Sequence, residues 1–147
     1  MSGTGSTKPK AFLTRALPEP APTLLRDAFD LQGNLGEDAL SHAQVVSGVA
    51  AAEAIICTLT DRIDAAVMDA AGPQLRVIST CAVGFDNIDV AAATQRRVLV
   101  ATTPDVLTDA TAELTWALIL ATARRVVEGD RLVRSGEFHG WSPSMLL

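Results

Sequence analysis

The chain has 147 residues, 48% of them apolar and 20% charged, with a formal net charge of −5. That length suits one compact domain with a real core and is short for a two-domain enzyme. The acidic balance argues against a nucleic-acid footprint, since no basic stripe appears and the pairs Arg96-Arg97 and Arg124-Arg125 sit in helix-like patterns where solvated faces account for them.

The first ten residues are polar and lack the apolar core of a secretory signal, so they read as a frayed tail. Their glycines and Lys8 do not make a phosphate loop, because the Gly-Lys-Ser/Thr ending and a preceding strand are both missing. Ala11-Phe12-Leu13 reads as a first strand. Pro18 to Leu31 reads as a helix entered through prolines, with Leu24, Leu25, Ala28 and Phe29 on one side. Gln32 to Glu37, with Gly33 and Gly36, is a loop with room for a weak second strand, and a helix is expected from about Asp38 to Ala52.

Ala54 to Leu59 makes a short buried strand and Asp61 to Ala71 a helix with Ile63, Val67 and Met68 inward. Leu75 to Ser79 is the next strand, Asp89 to Arg97 a helix, and Val98 to Ala101 another strand. Strands alternating with helices at this spacing predict an α/β fold built from βαβ units around a parallel sheet. A core rich in Ala, Val and Leu, with no Tyr, four Phe and two Trp, agrees with that.

At Thr102-Thr103-Pro104 the alternation ends, and one long helix is expected from about Asp105 to Arg134. From Ala112 to Ala123 it is apolar on almost every side, which normally means burial all round. A small sheet domain covers one face of such a helix, so a second domain, a second subunit or poor solubility is expected. The stretch from Leu114 to Ala123 is about half of the roughly 20 residues needed to span a bilayer, so no membrane span is predicted. Cys57 and Cys81 lie near the ends of apolar runs without metal-ligand spacing, which reads as two buried thiols in a reduced, cytoplasmic protein.

The chemistry gathers in Val77 to Asp89, where a strand breaks at Gly84 and a helix restarts near Asp89. If Gly84 takes a glycine-favoured conformation, the N–H groups near Val83 and Gly84 can converge on a small carboxylate beyond the carboxyl end of a strand. The alternative is a plain turn at Gly84 with Asp86-Asn87 capping the helix. No metal cluster is suggested.

Val83-Gly84-Phe85-Asp86-Asn87-Ile88-Asp89 resembles a signature of the D-isomer-specific 2-hydroxyacid dehydrogenases. Thr103-Pro104, Val106-Leu107-Thr108, Ala112-Glu113, Arg124-Arg125, Gly136 and Trp141-Ser142-Pro143 continue the likeness, nearest to the glyoxylate and hydroxypyruvate reductases. The resemblance implies a flavodoxin-like parallel sheet with flanking helices plus a long C-terminal linking helix. It divides the chain into a tail (1–9), an incomplete substrate domain (10–101), and a linking helix and dimerisation arm (102–147) leading into an absent NAD(P)-binding domain.

It further implies that the backbone at Val83 and Gly84 holds a substrate carboxylate, that Thr108 approaches the cofactor, and that NAD or NADP reduces a 2-oxo acid. Helix capping accounts equally well for Thr108. The arginine, glutamate and histidine that the family uses, and its Gly-x-Gly-x-x-Gly loop, have no counterpart in this chain. His42, His139 and Glu113 read as surface, packing or helix-dipole residues, so no catalytic residue is assigned. The expectation is an amino-terminal portion that is inactive alone and does not hold the cofactor by itself. It would bind a small 2-oxo or 2-hydroxy acid and pair as a homodimer or with a missing C-terminal half. The alternatives are a non-catalytic, dimerising carboxylate-binding module and half of a split enzyme.

Overall fold

The computed structural model describes residues 8–145. Most of the tail, including the glycines of the rejected phosphate-loop pattern, lies outside them, and Lys8 Nζ donates to the carbonyl of Arg26 at 2.7 Å. The described chain divides into two compact units after Pro104.

In the first unit, strands β1 (Lys10–Leu13), β2 (Asp30–Gly33), β3 (Ala54–Cys57), β4 (Val77–Thr80) and β5 (Leu99–Ala101) alternate with helices α1 (Ala21–Ala28), α2 (His42–Gly48), α3 (Ala65–Ala71) and α4 (Val90–Gln95). All strands pair in parallel, in the order β2-β1-β3-β4-β5. This is the flavodoxin-like order, in which ligands collect where strand order reverses. The α/β expectation therefore holds.

Side chains alternate between faces along a strand, so the register sorts them. Phe12, Ile55, Ile78 and Val100 stand in one row across β1, β3, β4 and β5. That face meets Val45, Val49, Val67, Met68, Ala92 and Ala93 from α2, α3, α4 and the turn after α2, and together they form the core. Full burial of each large side chain contributes about 1.5–3 kcal/mol. Gly48 is required here, because a Cβ at its position would stand 2.6 Å from the ring of Phe12.

The opposite face carries the rows Ala11, Ala54, Val77, Leu99 and Leu13, Ile56, Ser79, Ala101. Ala11 and Leu13 are buried, whereas Leu99 is 72% exposed. A groove of about 420 Å³ runs between α1 and this face, lined by Leu25, Phe29, Ile56, Val77 and Cys81 among others. Cys81 is exposed on it, contrary to the expected burial of both thiols; Cys57 is buried.

Several boundaries differ from those expected. The first helix ends at Ala28, and Leu31 lies in β2, because parallel pairing with β1 (Lys10 with Asp30, Ala11 with Leu31) claims the residues that the apolar pattern gave to a helix. Leu24, expected inward, is 63% exposed, since α1 buries only Pro22. The second helix is held to His42–Gly48 by a capping box, in which Ser41 accepts from the Gln44 amide and Gln44 from the Ser41 amide. The third starts at Ala65, not Asp61, because Asp64 caps it by accepting from the amides of Ala66 and Val67.

The second unit holds α5 (Thr108–Ala123) and α6 (Val126–Arg134), not one continuous helix. At the break the Arg125 amide bonds to the carbonyl of Thr122 and Arg125 takes φ +51°. No residue of α5 is buried, and Trp116, Leu118, Ile119 and Leu120 are all exposed. No described helix is long and apolar enough to cross a membrane.

Candidate functional site

The loop of residues 81–88 leaves the carboxyl end of β4 between two fixed edges. Upstream, the Cys81 amide donates to the carbonyl of Cys57 at 2.9 Å and the Thr103 amide to that of Ala82 at 2.8 Å. Downstream, the Ile88 amide closes a turn on the Phe85 carbonyl, and Ile63 and Ile88 form an isolated parallel bridge. Between these edges the amides of Val83 and Gly84 donate no hydrogen bond among the described residues, and Val83 is 49% exposed. Unpaired backbone donors at the carboxyl end of a parallel strand can receive an anionic oxygen.

Gly84 has no positive φ, the commonest glycine-favoured conformation; positive φ occurs among the described glycines at Gly33, Gly72, Gly136 and Gly140. A Cβ at Gly84 would meet nothing nearer than Asp86 Oδ2 at 3.8 Å. The fold thus leaves space for a side chain there, and the bare glycine keeps the amides open to what approaches from outside. The alternative cap is displaced too: Asp89, not Asp86 or Asn87, caps α4 by accepting from the Ala92 amide at 2.8 Å.

Beneath the loop lies a polar cluster around Asp61, a residue expected from the sequence to begin a helix. Asp61 is 3% exposed. Its Oδ2 accepts from Thr14 Oγ1 (2.6 Å), the Thr58 amide (2.7 Å) and Thr58 Oγ1 (2.9 Å). Asn87 Nδ2 donates to the carbonyls of Asp61 (2.9 Å) and Thr58 (3.1 Å), and Arg15 donates to Thr60 Oγ1 at 3.0 Å. The signal that could have found it is the spacing Thr58-x-x-Asp61, a side-chain-closed turn in which the Asp61 amide also returns to the Thr58 carbonyl. Burial pushes the neighbouring Cys57 thiol up to about 11, so it stays protonated and unreactive.

The remaining candidates lie on other elements. Thr108 opens α5 in the second unit, exposed; the helix N-cap is Leu107, without a side-chain cap. The capping account of Thr108 therefore fails, and its hydroxyl has no partner among the described residues. Glu113 and His139 are exposed. His42 begins α2 and reaches Asp64 at 3.1 Å, an ion-pair geometry at the surface. Among the described residues no cluster of His, Cys, Asp or Glu could hold a metal ion.

Comparison with known proteins places the fold in a family. Residues 11–133 match the model of the D-isomer specific 2-hydroxyacid dehydrogenase catalytic domain. The chain is 44% identical over 144 residues to a glyoxylate reductase of Thermococcus onnurineus, covering 95% of this chain and 43% of that protein. The crystal structure of the TT0316 protein of Thermus thermophilus matches with a TM-score of 0.87 at 44% identity, over 94% of this chain and 44% of that one. A Polaromonas sp. JS6 66 protein, described as an NAD-binding D-isomer specific 2-hydroxyacid dehydrogenase, matches at 0.89 and 42% identity, over 95% and 44%. The chain thus spans less than half the length of these relatives. With its strand order, its open loop beyond β4 and this match over most of its length, the chain belongs to the D-isomer specific 2-hydroxyacid dehydrogenase family.

Proposed function

We propose that this chain is the substrate-binding portion of an NAD(P)H-dependent 2-oxo acid reductase of the glyoxylate or hydroxypyruvate type, without turnover of its own. The observation that carries the reading is the pair of undonated amides at Val83 and Gly84, open to the outside at the carboxyl end of β4. Two N–H groups on one carboxylate fix its position and leave the neighbouring keto carbon directed away from the loop.

When bound, a nicotinamide supplies the hydride for reduction of that carbon. The residues present fit such a cofactor only in part: the unpartnered Thr108 hydroxyl offers one polar contact, and no strand in the sequence is followed by a Gly-x-Gly-x-x-Gly loop. This chain's part is to bind and orient the acid. Proton donation needs a titratable group against the substrate, and neither His42, held by Asp64, nor His139 is assigned that role. We place the protein in the cytoplasm, with a second copy or a separate carboxyl-terminal half as its partner; the bare apolar surface of α5 favours such pairing.

The test is an amide-resolved NMR titration of the pure chain with oxalate, a non-reacting mimic of a 2-oxo acid. Saturable shifts centred on Val83 and Gly84 are expected, with no NAD(P)H oxidation when glyoxylate is added. Shifts confined to other residues would remove the carboxylate site, and steady oxidation would remove the claim of inactivity.

A further inference from the structure

We infer that Asn87 is a positioning residue: its side-chain amide, seated on the turn of residues 58–61, holds the Val83 and Gly84 amides where they can receive a carboxylate. The inference rests on the proposed role of that loop and extends it to a residue that does not touch the acid.

The α4 cap belongs to Asp89, so Asn87 is not engaged in capping. Instead both hydrogens of its Nδ2 go to carbonyls far away in sequence, those of Thr58 and Asp61. Both partners are acceptors, so only the NH₂ side of the amide can face them, and two bonds fix the plane of the side chain. The backbone of the same residue is pinned to the same segment, since its carbonyl accepts from the Ile63 amide at 2.9 Å and the Asp89 amide returns to the Ile63 carbonyl at 2.9 Å.

The seat is itself fixed. The buried Asp61 carboxyl gathers Thr14 and both donors of Thr58, which ties the turn to the end of β1. Residues 83–86, by contrast, donate no backbone hydrogen bond among the described residues. Their place is set by the Ala82 carbonyl on one side and, on the other, by Asn87 together with the Phe85 carbonyl, which accepts from the Ile88 amide. A segment whose own amides donate no bond keeps its geometry through such anchors.

Asn87→Asp is the discriminating variant, because it keeps the shape while setting an oxygen against two carbonyls. The ¹⁵N-labelled full chain is compared with Asn87→Asp and with Asp86→Asn, a control in the same loop whose side chain makes no hydrogen bond. Without ligand, the order parameters of Val83 and Gly84 are expected to fall from about 0.85 to below about 0.6 in Asn87→Asp. Amides of β3 and β4 and the control should stay unchanged. With oxalate as the probe, the dissociation constant read from Val83 and Gly84 should rise roughly 10-fold or more.

An equally ordered loop with oxalate affinity within about 2-fold of the parent, a shift of under about 0.5 kcal/mol, overturns the inference. If the parent chain shows no oxalate shifts, the proposed carboxylate site is lost, and the order parameters alone still decide whether Asn87 fixes the loop. Should Asn87→Asp fail to fold, Asn87→Ser removes the paired donors without adding charge and gives the same comparison. Unfolding of both variants overturns a local positioning role.

Discussion

At Gly84 the protein leaves open space where a Cβ would stand, so packing does not demand a glycine there. Gly84→Ala should therefore leave thermal stability unchanged or raised by up to about 1 kcal/mol, through a less flexible unfolded chain, while oxalate shifts at Val83 weaken. A clear fall in melting temperature would show that the backbone needs glycine there. Asp61→Ala is predicted to cost about 1–3 kcal/mol in chemical denaturation, since the Thr58 amide would lose its acceptor and the Thr14 and Thr58 hydroxyls would keep only their longer bonds to the Ile56 carbonyl and Thr60 Oγ1. Burial pushes the Asp64 carboxyl up, but the His42 hydrogen bond, the Val67 amide and the charges on His42 and Arg62 outweigh it and hold the group below its ordinary 3.8. A lowered folded value means that this contribution is present above pH 3.8 and is lost as pH falls through the lowered value. In His42→Ala the Asp64 midpoint, followed by carboxyl-carbon NMR, should move up toward 3.8. The Val83-Gly84 loop was legible because it is short, local and part of a long signature. Asp61 was not, because its role comes from Thr14, which is 47 residues away.

Among the elements, the alternation of short apolar runs with helical patterns revealed every strand of the sheet except most of β2. That edge strand is largely polar, and it exists because β1 offers it a ladder. The second and third helices came out shorter than the apolar pattern suggested, since side-chain caps at Ser41 and Asp64 decide where each begins, whereas α4 starts at its expected Asp89 cap. Asp89→Ala should cost about 1 kcal/mol and fray α4, measurable as faster amide exchange at Ala92. Gly48→Ala should be more costly, about 1–3 kcal/mol, because the new methyl drives the buried Phe12 ring out of place. The break between α5 and α6 carries no proline or glycine, so periodicity ran through it; only the left-handed Arg125 reveals the turn.

For the molecule as a whole, the uneven covering of its surfaces matters most. The core side of the sheet is closed by α2, α3 and α4, while the other side is open over β4 and β5, where Leu99 and Ala101 are exposed. Parallel sheets are normally covered on both faces. In the second unit α5 presents Leu118 and Ile119 to the outside and buries none of its residues. Sedimentation velocity at rising concentration should therefore show self-association of the pure chain, reduced by Leu118→Glu with Ile119→Glu, and the melting of the first unit should not change. Association that persists in the double variant would move attention to the open sheet face. By itself the sequence determined the parallel α/β class, the loop that follows β4 and the family, because periodicity, turn chemistry and a long signature are local properties of a chain. Only the tertiary structure decided that Asp61 is buried with Thr14 and Thr58 on its carboxyl, that Asn87 bonds to the Thr58 and Asp61 carbonyls instead of capping a helix, and that Cys81 faces an open groove. Those facts depend on which distant segments meet, and hydrogen bonds across 26 to 47 residues leave no periodic trace.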